Sequence, residues 1–190
     1  MNRKIILGAV ITTLLASSGV AMSDDDDDDH DGRKRGLFSR FFSKAGVTPV
    51  NNQPYIDECG SCHFAFQPGL LPARSWKKLM GGLDDHFGEN AEFDSADAQK
   101  ILNYLVAGAA DTSSAHRSQS INNSIPRNSA PLRISETRYF LRKHDEIPPR
   151  YVTGNPKVGS FSNCEKCHTE AAKGSFSEHG VHIPGVGRWD

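Results

Sequence analysis

The sequence predicts a mainly α fold, a small two-lobed chain with few helices and long loops. Three observations predict it. Apolar residues recur at helical spacing in a few short stretches and nowhere alternate over the length of a strand. Seventeen glycines and ten prolines in 190 residues interrupt the chain often. One cysteine-rich word occurs twice, at Cys59 and at Cys164, in surroundings that otherwise share no repeat, so the two lobes are expected to be unlike.

The elements follow in order. Arg3 and Lys4 precede an apolar run from Ile5 to Ala16, and small residues follow from Ser17 to Ala21. Basic, apolar and small in that order is the layout of a secretory signal peptide, so residues 1–21 are expected to be cleaved and the chain to reach the periplasm. The run is shorter than the roughly 20 residues that span a bilayer. Residues 22–46 combine the acidic run Asp24–Asp29 with a basic aromatic arm, Gly32 to Lys44, in which Leu37, Phe38, Phe41 and Phe42 fall at helical spacing. Like charges repel and stay extended, so disorder is expected here. Residues 33–44 are the one stretch whose pattern suits contact with an anionic membrane surface.

A first lobe is expected over 47–112. Its first helix should run from about Pro72 to His86, with Trp76, Leu79, Met80, Leu83 and His86 at helical spacing and Gly88 as the stop. Asp94 or Ser95 should cap a second helix carrying Ile101, Leu102, Leu105 and Val106. Residues 113–131, rich in Ser and Asn with no apolar period, read as a connector. The second lobe, 132–190, should open with a helix from Ser135 to about His144, stapled by Ile134 and Tyr139 and ended before Pro148. A short helix ending at Gly174 and a tail with His179 and His182 follow.

The cysteines carry the chemistry. Cys59-Gly60-Ser61-Cys62-His63 and Cys164-Glu165-Lys166-Cys167-His168 both read C-x-x-C-H, the c-type haem attachment signature. Two thiols add to the vinyl groups of one porphyrin, two intervening residues let both sulfurs reach, and the adjacent histidine becomes the proximal axial ligand. Zinc sites space their cysteine pairs far more closely. A thioredoxin-type site needs only one pair. Two disulfides in an exported chain would use the same four cysteines, but c-type haem is also attached outside the cytoplasmic membrane, so the signal peptide and the motifs support each other. Two covalently bound haem c groups are therefore expected, on Cys59, Cys62, Cys164 and Cys167. They also supply apolar surface that a chain with so thin a core lacks.

Each iron has a second axial position. Candidates are His30, His86, His116, His144, His179, His182 and Met80, the last being the only methionine beyond the N-terminal segment. His86 follows His63 of the first motif by 23 residues and His144 precedes His168 of the second by 24. Each lies on an apolar helix face, so His63 with His86 and His168 with His144 are the expected iron ligands. Met80 reads as a core residue. Charge adds one exclusion. From Gly32 onward there are 20 Lys/Arg against 16 Asp/Glu, no basic field of the kind nucleic acid binding needs.

The words Glu58–His63, Pro68–Trp76, His86-Phe87-Gly88, Arg133–Thr137, His144–Ile147 and Asn163–His168 resemble the dihaem cytochrome c family sometimes called DHC. The resemblance runs from about Tyr55 to Pro184. It implies a small bacterial periplasmic carrier with bis-histidine ligation at both haems, His86 and His144 matching the distal positions. It also implies redox protein partners, an oxygen-binding monohaem cytochrome or a membrane b-type cytochrome. The expected function is low-potential one-electron transfer, not catalysis. Alternatives are a small dihaem subunit docked on a periplasmic reductase, or a dihaem peroxidase, which needs an opening iron site with an acid/base group beside it.

Overall fold

The computed structural model describes residues 46–189. The signal peptide, acidic run, aromatic arm and His30 lie outside the described residues. Within them the fold is mainly helical, with six short α-helices, single 3-10 turns between them and one two-residue ladder. No helix among the described residues is long and apolar enough to cross a membrane.

Helix α1, Gln53–Cys59, starts where the Asn52 side chain accepts from the Tyr55 N–H at 2.9 Å. It ends inside the first cysteine word. Helix α2 runs over Ala73–Met80, shorter than the expected helix to His86. Gly81 and Gly82 follow, each costing a helix about 1 kcal/mol relative to alanine, and the chain passes into a 3-10 turn, Leu83–Asp85. Leu83 and His86 therefore do not continue the face of Leu79. Helix α3, Ser95–Ala107, is capped as expected by Asp94, whose carboxylate accepts from Ala96 and Asp97 N–H.

The expected connector contains a helix, α4, His116–Ser124, which buries Ser118 and Ile121. Helix α5, Arg138–His144, begins three residues later than expected. Ile134–Glu136 forms a 3-10 turn, and Thr137 supplies the cap, its hydroxyl accepting from Phe140 N–H at 3.3 Å. Helix α6 is a single turn, Cys164–Cys167. In the tail, β1 (His182–Ile183) pairs antiparallel with β2 (Gly187–Arg188), a ladder the apolar pattern did not signal because it is two residues long.

Three apolar clusters organise these pieces. Tyr55, Leu71, Trp76, Ile101, Leu105 and Ala109 form the first, where α2 packs on α3, and Cys59 leans against it. Full burial of each large side chain contributes about 1.5–3 kcal/mol. Val152, Val158, Val181 and Ile183 form another beside Cys167. Between them in sequence, Ile121 and Ile125 from the connector join Val47, Leu70 and Tyr139, with Phe66 and Phe176 packed on the edge. Two hydrogen bonds span long stretches of chain. The fully buried Gln67 donates from Nε2 to the Ala171 carbonyl, and Val47 N–H donates to the Gly174 carbonyl at 3.2 Å. The loop after the first cysteine word is thereby fixed against the turn after the second.

Candidate haem sites

The first site grows out of the end of α1. Gly60 N–H donates to the Ile56 carbonyl at 2.9 Å and Ser61 Oγ to the Glu58 carbonyl at 2.9 Å, so the turn carries Cys59 and Cys62 on one tight coil. His63 follows with Nδ1 2.8 Å from the Phe64 carbonyl. A carbonyl only accepts, so Nδ1 holds a proton and Nε2 is the ring nitrogen placed to ligate. His86 faces this ring. The two centroids are 6.1 Å apart and the planes lie within 21°. His86 reaches its place on a tight turn: its N–H donates to the Glu89 carbonyl at 2.7 Å, and Phe87 and Gly88 form the corner with φ 61° and 100°. The Phe87 ring lies 4.8 Å from the His86 ring, and the Arg133 guanidinium sits 3.8 Å from the Phe87 centroid. Burial first, then His63 and Arg133, keep His86 neutral by lowering its pKa.

The second site is built on two helices. His168 follows α6, its N–H donating to the Cys164 carbonyl at 2.8 Å. His144 is the last residue of α5. Its Nδ1 lies 2.9 Å from the Phe140 carbonyl, and its ring stacks on Phe140 at 3.8 Å and 10°. Phe161 stands edge-on to both rings. His144 and His168 are again 6.1 Å apart, now with planes at 78°. Burial, then His144 and Arg117, push the His168 pKa down to about 4. Its Nδ1 is buried without a hydrogen-bond partner.

The spacing is what an iron held between two imidazoles requires. Two metal–nitrogen bonds of about 2 Å and two ring radii of about 1.1 Å place the centroids about 6 Å apart. Neutral rings with a free lone pair are the ligating form, and a second ring nitrogen donating to a carbonyl, as at His63 and His144, fixes the tautomer. The thiols fit as well. Burial, reinforced by Glu58, pushes Cys59 up to about 11, and burial with Glu165 pushes Cys164 up to about 12. A thioether carries no charge, so converting these thiols removes no favourable ionisation.

The remaining candidates lie elsewhere. His116 opens α4, and it, His179 and His182 are exposed. Met80 ends α2 and packs on the first cluster. Sequence reasoning missed most of the residues around the rings: Arg117, Arg133, Phe66, Phe161 and Phe176. Only Phe140 carried a readable signal, four residues before His144 on one helix face.

Two thiols and two imidazoles, repeated on a chain of few short helices, define a dihaem c-type cytochrome. The sequence pattern of the family described as dihaem cytochrome c matches residues 55–176, and the chain belongs to that family. Solved structures agree. A dihaem cytochrome type c from Shewanella baltica OS155 is 45% identical over 73% of this chain and 98% of its own, with a TM-score of 0.61. A dihaem cytochrome c from Rhodobacter sphaeroides is 45% identical over 68% of this chain and 100% of its own, also at 0.61. A second structure from that organism, described as DHC, gives 43% identity over 67% and 99%, with a TM-score of 0.53. Comparison with curated proteins found no match. The chain thus carries two haem c groups, with Cys59/Cys62 and Cys164/Cys167 fitting the attachment words, and it is a haem-based electron carrier.

Proposed function

We propose that this cytochrome is a low-potential one-electron carrier of the periplasm, with His63 and His86 ligating the first iron and His168 and His144 the second. The observation that carries the reading is the equal 6.1 Å separation of both histidine pairs. When bound, the haems supply reversible one-electron chemistry. The chain's own residues supply the rest. The four imidazoles fill both axial positions, which leaves no open coordination site for a substrate and favours a carrier over an enzyme. Two nitrogens also hold the potential below that of nitrogen with thioether sulfur. Phe140 and Phe161 shield His144, and Phe66 and Phe176, 5.4 and 5.5 Å from His63 and His168, shield the proximal rings. The layout of residues 1–21 supports export to the periplasm. The partners in this reading are redox proteins, an oxygen-binding monohaem cytochrome or a membrane b-type cytochrome.

A potentiometric titration tests the reading. Two one-electron steps are expected, and His144→Met should raise one of them by on the order of a tenth of a volt or more, within the roughly 0.8 V that axial ligands command. An unchanged pair of midpoints in that variant, or rapid peroxide turnover by the unaltered protein, would overturn it.

A further inference from the structure

The two distal histidines are held very differently. His144 sits on a capped helix, its Nδ1 bonded to the Phe140 carbonyl and its ring stacked at 3.8 Å. It is enclosed further by Phe161. Among the described residues His86 has no ring hydrogen bond. It hangs on a two-residue corner whose first residue, Phe87, is a bulky side chain at φ 61°. That region disfavours any residue with a Cβ, and a phenylalanine there is an outlier. Phe87 is also 44% exposed, an unusual setting for a large ring. Asp85, at the end of the preceding 3-10 turn, accepts from Phe87 N–H at its carbonyl (3.0 Å) and from Gly88 N–H at its carboxylate (2.9 Å), and one side chain from a distant part of the chain covers the corner. The Arg133 guanidinium lies over the Phe87 ring at 3.8 Å, and Glu136 holds Arg133 at 3.6 Å from the adjoining 3-10 turn. Leu79, Asp85 and Leu132 line a shallow cavity with His86 and Phe87, so the corner lies at the surface and is not packed into a core.

We propose that the first haem is the one that opens to an external diatomic ligand, and that Arg133 and Phe87 form the latch keeping His86 on its iron. The inference rests on the axial assignment above. In a haem-loaded chain, opening would break the bond from a His86 ring nitrogen to iron, and a neutral diatomic such as carbon monoxide would take the vacated position. The freed nitrogen accepts a hydrogen bond or a proton from water. No electrons are exchanged, and loss of the ligand reverses each change. The second haem would stay closed because His144 is fixed by its helix, by the Nδ1 bond to the Phe140 carbonyl, by Phe140 stacked on one face and by Phe161 edge-on. Arg133 acts through Phe87 and is a positioning residue.

The test uses the haem-loaded full chain. Paramagnetic resonance of the oxidised protein comes first. A high-spin signal in the unaltered chain removes the axial assignment itself, which separates that failure from failure of the latch. Carbon monoxide is then mixed with the reduced protein and followed in the Soret band, with His86→Ala and His144→Ala as spectral standards for each open haem. The expected adduct matches the His86→Ala standard. Arg133→Ala should form it about three- to tenfold faster than the unaltered chain, the scale of one partly exposed cation–π contact. Arg133→Lys, which keeps the charge and loses the planar stacking, should fall between and serves if the alanine variant folds poorly. Equal rates in Arg133→Ala or Arg133→Lys and the unaltered chain overturn the proposal. So does an adduct matching the His144→Ala standard, or no adduct at either haem in any Arg133 variant.

Discussion

Gly174 closes the turn after the second cysteine word with φ 75°. A Cβ there would run into the Val47 carbonyl group, its carbon at 3.2 Å, and would meet the Pro49 nitrogen at 3.4 Å. Gly174→Ala therefore incurs three costs. The left-handed conformation costs about 1 kcal/mol. Moving the Val47 carbonyl disturbs the Val47 N–H to Gly174 carbonyl bond, worth about 1 kcal/mol net. Val47 is 1% exposed, and partly withdrawing it from Leu70 and Ile121 forfeits about another 1 kcal/mol. The total is about 3 kcal/mol. Gly88→Ala is the matched control: φ is 100°, but nothing lies within 4 Å of the added carbon, so only the conformational cost of about 1 kcal/mol applies. Guanidinium unfolding of the haem-loaded protein, read by circular dichroism, should separate the two variants by about 2 kcal/mol. Equal destabilisation would show that the segment at Val47 is not docked on the Gly174 turn, and the reasoning that ties the two cysteine words together would fall.

Other consequences are equally direct. Thr137 is buried, caps α5 and donates to the Ile134 carbonyl at 2.8 Å. Thr137→Ala should cost about 1–2 kcal/mol and, because α5 carries His144, should broaden the signal of the second haem alone. Ile101 is 1% exposed at the centre of the first cluster, so Ile101→Ala should lower unfolding stability by about 2–5 kcal/mol, read from the denaturant midpoint at constant slope.

Much of the candidate site is legible in the sequence. The cysteine words announce their own chemistry, and counting residues from each word singled out His86 and His144, the two histidines that the fold sets opposite His63 and His168. The route to His86 differs from the one its spacing predicts: Gly81 and Gly82 stop the helix and a 3-10 turn delivers the side chain instead. Spacing alone did not distinguish the two routes, because a short turn after a helix covers similar ground. Helix α4 was hidden because its apolar signal is little more than Ile121, with Ile125 just beyond its end, in a stretch of Ser and Asn that favours loops. Arg117 and Arg133 approach the histidines from distant parts of the chain. No local pattern encodes such contacts. The ring planes, 21° at one pair and 78° at the other, depend on packing by Phe140 and on the Phe87 corner.

Those planes give the most direct test of the central claim, that each iron is closed by two imidazoles. Near-parallel rings act on one of the two iron d orbitals that reach toward them and split the pair. Near-perpendicular rings act on both alike and leave them almost degenerate. Low-temperature paramagnetic resonance of the oxidised protein should therefore show two low-spin signals of equal weight. One should be a rhombic three-feature spectrum from the His63–His86 pair. The other should be a single strongly anisotropic feature at large g from the His144–His168 pair. A high-spin signal from either haem, or a far-red methionine–iron charge-transfer band, would contradict the account.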